Sequence, residues 1–165
     1  MKQKIYVKLF DNAEKLNVKP QGDWIDLMTN EDIKMSAPKT VKGTVQFNYQ
    51  VIKLGVGMIL PKGMEAHALP RSSTFGKWGF ILANSQGVID NSYSGENDEW
   101  KYLAIAMRDV DVPKGTSIAQ FRIVPSQKAT LWQKIKWLLS SGIELVYIDK
   151  LNDVSRGGIG STGDK

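Results

Sequence analysis

The chain has 165 residues, 42% hydrophobic and 24% charged, with 15 Gly, 6 Pro and a formal net charge of +5. A chain of this length buries roughly 70% of the surface its unfolded form exposes, enough for one core without staples, which excludes disordered, collagen-like and knottin classes. It has no cysteine and one histidine, His67. Disulfides, thiolate zinc sites, cysteine nucleophiles and histidine-rich metal clusters are therefore excluded, and a serine or cysteine protease is hard to build.

The start, Met1-Lys2-Gln3-Lys4, leads into alternating Ile5, Val7 and Leu9. That is a half-buried strand rather than the apolar centre of a signal peptide, and no apolar run is long enough to span a membrane. A soluble, cytoplasmic protein is expected. Residues 29–44 are polar and expected to be mobile. Val45, Phe47, Tyr49 and Val51 alternate again, then Ile52, Leu54, Val56, Met58 and Leu60 continue on the opposite parity. A switch at 51/52 predicts a bulge or bend, because a one-residue slip turns a strand over. Pro61-Lys62-Gly63 closes the run with turn chemistry. Further strands are predicted over 65–69, 79–83, 101–106, 116–124 and 143–148, and many short strands with frequent turns imply a sandwich, jelly roll or barrel. One segment departs from this period. Leu131, Trp132, Ile135, Leu138 and Leu139 have helical spacing, with Ser126 or Thr130 as cap and Gly142 as stop, predicting a short helix over about 130–141. Trp137 projects opposite that stripe and is expected to be exposed. The tail after Lys150 is again polar and expected to be mobile. The charge of +5 is a modest bias that solubility explains, and it does not choose between nucleic acid and nucleotide as partner.

Four clusters place turn residues and charges where a strand protein needs neither. Pro70-Arg71-Ser72-Ser73 offers a guanidinium fork, two hydroxyls and backbone amides within one turn, which suits phosphate oxygens. Residues 84–96 begin with Asn84 and carry glycines at 87 and 95 that bracket an expected hairpin. There the Gly87, Val88 and Ile89 backbone can address a flat base, Asp90 can act as a general base, and Tyr93 can form a packing platform. Gly115-Thr116-Ser117-Ile118-Ala119-Gln120-Phe121 contributes Gln120 for polar readout. The C-terminal Arg156-Gly157-Gly158-Ile159-Gly160-Ser161-Thr162-Gly163 is a strip whose amides can wrap phosphates; it lacks the Gly-Lys-Ser/Thr of a Walker loop. Taken singly, each cluster also reads as an ordinary polar turn, a capped hairpin or a loose tail.

Their combination is specific. Pro-Arg-Ser-Ser, Gly-Val-Ile-Asp-x-x-Tyr-x-Gly-Glu, Ile-Ala-Gln-Phe and Arg-Gly-Gly-x-Gly-Ser-Thr-Gly, in that order, resemble the motifs of the trimeric deoxyuridine triphosphatase (dUTPase) family. Asp23-Trp24-Ile25-Asp26-Leu27 resembles the family's first motif, with Trp24-Ile25 in place of the usual Gly-Tyr. The resemblance spans residues 22–163. It implies an all-β fold, a jelly roll or distorted β-barrel of the dUTPase type with one short inserted helix: residues 1–150 form a single domain and 151–165 a flexible arm that closes over the active site. It also implies a homotrimer that hydrolyses dUTP to dUMP and pyrophosphate with Mg²⁺, each site drawing on all three chains. In this reading Asp90 is the base for water attacking the α-phosphorus, Tyr93 packs under the deoxyribose, and Asn84, Gly87, Val88 and Ile89 read uracil. Arg71, Ser72, Ser73 and Gln120 hold phosphates, Asp26 positions Mg²⁺ through water, and Arg156, Gly158, Ile159, Gly160, Ser161 and Thr162 close over the triphosphate.

Two features depart from the family pattern. The C-terminal motif has Ile159 where an aromatic usually stacks on the base, and the acidic, aromatic run 96–102 offers Trp100, or Tyr102, as a substitute lid. The helix at 131–140 is an insertion of the kind seen in phage and Gram-positive members. Three rival readings accompany this one. A non-catalytic or dual-role regulator would bind a protein partner through that helix. A dCTP deaminase shares the fold, but the Gly-Val-Ile-Asp-x-x-Tyr run argues against it. A nucleic-acid-binding barrel ranks last, because aromatics do not interleave with Lys or Arg and Glu96, Asp98 and Glu99 would repel a backbone.

Overall fold

The computed structural model describes residues 1–18 and 22–155. Along the chain run β1 (Gln3–Leu9), β2 (Ile25–Met28), β3 (Ile33–Met35), β4 (Lys39–Val41), β5 (Thr44–Gln46), β6 (Tyr49–Lys53), β7 (Val56–Ile59) and β8 (Met64–Pro70). They continue through α1 (Thr74–Trp78), β9 (Phe80–Leu82), β10 (Gly87–Ile89), β11 (Lys101–Ala106), β12 (Val110–Val112), β13 (Ser117–Pro125), α2 (Leu131–Leu138) and β14 (Ile143–Tyr147). The strands form sheets in the orders β14-β1-β7, β10-β8-β13-β2 and β6-β11-β9, with the pairs β12-β3 and β4-β5. The fold is all-β of the jelly-roll type; among the described residues the sheets remain open and none closes into a barrel.

The alternation that predicts the strands also builds the core. In β1 Ile5 and Val7 are buried while Lys4 and Tyr6 face outward, and β8 buries Met64, Ala66 and Ala68 on one face. Between the sheets Trp100 meets Phe121 edge to face at 5.1 Å, and Phe80 meets Tyr102 at 5.7 Å, the arrangement that opposed ring quadrupoles favour. Each such side chain contributes about 1.5–3 kcal/mol by leaving water.

Four expectations change. The strand at 51/52 has no bulge: β6 runs through it in regular register with β11. Tyr49 and Val51 lie on its outer face and Ile52 on its inner one, so the apparent parity switch marks a strand that is apolar on both sides. Val51 lies opposite Leu103, and Tyr49 and Ile81 lie opposite Ile105, which makes the outer face of sheet β6-β11-β9 a continuous apolar surface. Residues 29–44 contain β3 and β4 rather than a mobile stretch. A second helix, α1, follows the Pro70-Arg71-Ser72-Ser73 turn, in addition to the single helix expected.

Helix α2 starts at the predicted cap, with Thr130 Oγ1 accepting from the Gln133 amide and Gln133 Oε1 accepting from the Thr130 amide. Its orientation is the reverse of the expected one. Trp137 packs against the core, while Leu131, Trp132, Leu138 and Leu139 are 71–79% exposed. Helical spacing shows that a stripe exists and leaves open which side the fold covers.

Candidate functional site

One group assembles at an end of sheet β10-β8-β13-β2. Gln120 lies between Asp26 on β2 and Leu69 on β8. Arg71 follows β8 directly and places Nε 3.2 Å from Asp26 Oδ1. Asp26 is 6% exposed although it sits in an apolar strand, and this guanidinium answers its charge. The chain then turns through Ser72 and Ser73 into α1, held by Arg71 and Thr74, whose backbone amide and hydroxyl respectively donate to the Ile118 carbonyl. A half-buried guanidinium, a carboxamide and two serine hydroxyls therefore share one rim, a set of donors matched to phosphate.

The second group surrounds β10. Among the described residues this strand pairs with β8 alone, Val88 opposite His67 and Ile89 opposite Ala66, so it is an edge strand there. Residues 87–95 are thus a strand and a loop rather than the hairpin expected between the two glycines. Asn84 closes the preceding turn, its Nδ2 donating to the Gln86 carbonyl at 3.2 Å. After Ile89 the loop winds tightly: the Ser92 amide donates to Asp90 Oδ1 at 2.8 Å, the Ser92 hydroxyl donates to the same oxygen, and the Tyr93 amide donates to the Asp90 carbonyl. Tyr93 is half-buried and its hydroxyl donates to the Glu99 carbonyl at 2.9 Å. Burial, then the charges of Asp98 and Glu99, push that hydroxyl above its ordinary range, so the ring stays neutral. Asn91 ties the loop to the body, Nδ2 donating to the carbonyls of Leu60 at 3.0 Å and Pro61 at 2.9 Å.

The two groups lie at opposite ends of β8. Asp90 lies beyond Ile89, which is opposite Ala66, while Arg71 lies beyond Pro70. At about 3.3 Å per residue the separation is roughly 17–20 Å. One chain does not bring Asp90 to Arg71, Asp26 and Gln120.

Trp100 is not a lid. It is 1% exposed, among the largest fully buried side chains, and packed on Phe121. Tyr102 is buried as well, so neither ring reaches solvent to cover a base. Acidic neighbours made this run read as surface, yet Asp98 and Glu99 are themselves buried, accepting from the Gly95 and Gly55 amides. Arg156, Gly158, Ile159, Gly160, Ser161 and Thr162 lie outside the described residues.

A model of the dUTPase family matches residues 31–137. An SPbeta prophage-derived deoxyuridine 5'-triphosphate nucleotidohydrolase of Bacillus subtilis is 40% identical over 162 residues, covering 98% of this chain and 99% of that protein. The chain belongs to the dUTPase family. A deoxyuridine 5'-triphosphate nucleotidohydrolase of Hydrogenobaculum is 33% identical over 145 residues, 86% of this chain and 83% of that one. The dUTPase fold is equally evident in solved structures. A dUTPase from Streptococcus mutans superposes with a TM-score of 0.62 at 21% identity, over 75% of this chain and 98% of its own. A dUTPase of Staphylococcus bacteriophage 80alpha gives 0.62 at 19%, over 77% and 93%. A dUTPase mutant from phage phi11 of S. aureus, described with a structural Mg(II) ion, gives 0.60 at 18%, over 77% and 94%.

Among the described residues of this dUTPase no three of His, Asp and Glu gather into a metal cage. Asp26 supplies one hard oxygen donor of the class Mg²⁺ takes, and its Oδ1 already faces the Arg71 guanidinium.

Proposed function

We propose that the protein hydrolyses dUTP to dUMP and pyrophosphate, with Asp90 as general base. The observation that carries this reading is the loop after β10, where Ser92 fixes one carboxylate oxygen of Asp90 and the half-buried Tyr93 stands three residues away. Asp90 accepts a proton from water as the water oxygen attacks the α-phosphorus. The bond to the bridging oxygen breaks and pyrophosphate leaves. One oxygen held by two donors fixes the direction from which that proton is taken. The Tyr93 ring packs under the sugar and excludes a 2′-hydroxyl, while the unpaired edge of β10 at Gly87, Val88 and Ile89, with Asn84, reads the uracil edge. Arg71, Ser72, Ser73 and Gln120 hold phosphate oxygens. Asp26 would hold Mg²⁺ through a water, and the ion would supply neutralisation of charge on the triphosphate. Arg156, Gly158, Ile159, Gly160, Ser161 and Thr162, in a C-terminal arm that follows a domain of residues 1–150, close over the triphosphate.

Asp90 and Arg71 lie roughly 17–20 Å apart along β8, so one nucleotide takes them from different chains; that the assembly is a homotrimer is what the resemblance to the dUTPase family implies. The apolar outer face formed by Tyr49, Val51, Ile81, Leu103 and Ile105 supports it, since such a face is stable when another copy covers it. Among the described residues no helix is long and apolar enough to cross a membrane, in keeping with a cytoplasmic enzyme acting on free nucleotide. A regulatory partner on α2 is the second reading; the exposed Leu131, Trp132, Leu138 and Leu139 favour it, and loss of capture on deleting 131–141 tests it.

The test of hydrolysis is pyrophosphate release from dUTP, dCTP, dTTP and UTP, with and without Mg²⁺. Selective release from dUTP that falls by about 10²–10⁴ in Asp90→Asn supports the reading. Mixed refolding of Asp90→Asn with Arg71→Ala chains tests the shared site: recovered activity supports it, and none refutes it.

A further inference from the structure

Ile89 and Tyr93 pack against the core, but the three residues between them are polar: Asp90 and Asn91 are half-buried and Ser92 is exposed. Apolar packing does not hold this stretch, so its hydrogen bonds decide where it sits. The bonds from Ser92 to Asp90 Oδ1 and from the Tyr93 amide to the Asp90 carbonyl stay within the loop. They set the carboxylate against its neighbours and would travel with the loop if it moved as a unit. Asn91 makes a tie of the other kind. Its Nδ2 donates to the carbonyls of Leu60 at 3.0 Å and Pro61 at 2.9 Å, 31 and 30 residues earlier in the chain. A carboxamide nitrogen carries two protons, and both are used on adjacent carbonyls.

The turn that accepts them is itself fixed. Leu60 is buried at the end of β7. The Met64 amide donates to the Pro61 carbonyl at 3.1 Å, and the Ser126 amide donates to the Gly63 carbonyl at 2.8 Å. Gly63 has φ +76°, and a Cβ there would lie 2.6 Å from Gln133 Cδ, so the turn also rests on the first turn of α2.

We infer that Asn91 is a positioning residue for hydrolysis: through the turn 60–63 it holds the Asp90 carboxylate at one place on the body of the subunit. The inference rests on the reading of Asp90 as general base. A base must meet the attacking water within hydrogen-bond reach, and a displacement of about 1 Å costs about 10²-fold. Asparagine suits the position because aspartate, of the same shape, has no proton to donate and would set a charge against two carbonyl oxygens.

The test compares the whole protein with Asn91→Ala, Asn91→Asp, Asp90→Asn and the double variant Asp90→Asn with Asn91→Ala. Three quantities are read: the single-turnover rate of dUTP hydrolysis, the Kd of a non-hydrolysable α,β-imido analogue of dUTP, and the thermal midpoint, so that rates are compared where every variant is folded. Asn91→Ala is expected to slow hydrolysis about 10–100-fold while Kd stays within about twofold, because the displaced group serves the reaction rather than binding. Asn91→Asp keeps the bulk and loses the donors, and should slow hydrolysis at least as much. In the Asp90→Asn background Asn91→Ala is expected to slow it no further, since residues acting through one carboxylate are not additive. An equal further fall in the double variant overturns the inference, because Asn91 then acts apart from Asp90. An unchanged rate in Asn91→Ala or Asn91→Asp overturns it, and so does a loss explained wholly by a weaker Kd. A parental rate in Asp90→Asn refutes the base itself and the positioning role with it, a result distinct from any in the Asn91 variants alone.

Discussion

Replacing Trp100 separates a core residue from a lid. The indole is 1% exposed and meets Phe121 edge to face, so Trp100→Ala removes a fully buried ring and leaves a cavity between the sheets. Such truncations cost about 3–5 kcal/mol. At roughly 2–4 °C per kcal/mol for a chain of this length, the midpoint should fall by about 6–20 °C. Trp100→Phe is the informative partner. It keeps a ring against Phe121 and gives up about three buried heavy atoms, worth ~2 kcal/mol at ~0.8 kcal/mol per methylene equivalent. It also removes Nε1, which is buried without an acceptor among the described residues, and relief of an orphaned donor returns about 1–3 kcal/mol. The two effects nearly cancel, so Trp100→Phe should melt within a few degrees of the parent and keep its KM for dUTP. The assay is thermal unfolding followed by far-ultraviolet circular dichroism at fixed subunit concentration, with dUTP kinetics on the folded variants. A raised KM in Trp100→Phe with an unchanged melt would refute the reasoning, and so would a loss below about 1 kcal/mol in Trp100→Ala.

Burial raises the Glu99 carboxyl above its ordinary range, so the folded chain holds that proton more tightly than the unfolded one. Its contribution to stability is then greatest below the ordinary carboxylate value and declines as pH rises through the raised one. Glu99→Gln keeps an acceptor for the Gly55 amide and should gain on the parent as pH rises from the ordinary carboxylate value through the raised one; a midpoint difference that does not move in the variant's favour over that rise excludes this. Gly55 has φ +68° and an added Cβ would fall 2.5 Å from Ala13 Cβ, so Gly55→Ala should cost at least ~2 kcal/mol, combining left-handed strain with the clash; a urea midpoint equal to the parent's would disprove the crowding. Thr130→Ala removes one half of the α2 capping box and should cost about 1 kcal/mol, read as faster amide exchange confined to residues 131–138. Uniform exchange across the chain would show that the helix does not open on its own.

Strands with one buried face were legible in the sequence. The alternation in β1, β8, β11 and β13 comes directly from inward residues such as Ile5, Ala66, Ala104 and Phe121. β2 was not, because Asp26 is buried in it by pairing with Arg71, just past the end of β8, and a buried carboxylate looks like surface until its partner is known. β4 buries nothing and so carries no period. In β6 apolar residues on both faces imitated a change of parity. The candidate site divides in the same way. Its motifs could be read because catalysis needs unusual residue types in close succession, as at Asp90 and Tyr93. The distance from Asp90 to Arg71 could not, since it depends on how β10 and β8 pair. Asn91 was missed because its side chain bonds distant backbone groups, the Leu60 and Pro61 carbonyls, which leaves no local pattern. No signal in one sequence would have found it.

The two-sided β6 strand also bears on how the protein is made. A newly folded subunit presents Tyr49, Val51 and Ile81 to solvent on a sheet with open edges, the surface that recruits any strand-rich neighbour. The association proposed above and aggregation both draw on this exposed population, and both accelerate with concentration. Under that proposal the yield of active protein is decided by a race, in which the specific fit of one copy on another must outpace less selective pairing. Slow synthesis favours the fit by keeping exposed subunits few, and abundant synthesis favours the aggregate. A gene for such a chain carries in its expression level a second determinant of quality, beyond the stability of the fold it encodes.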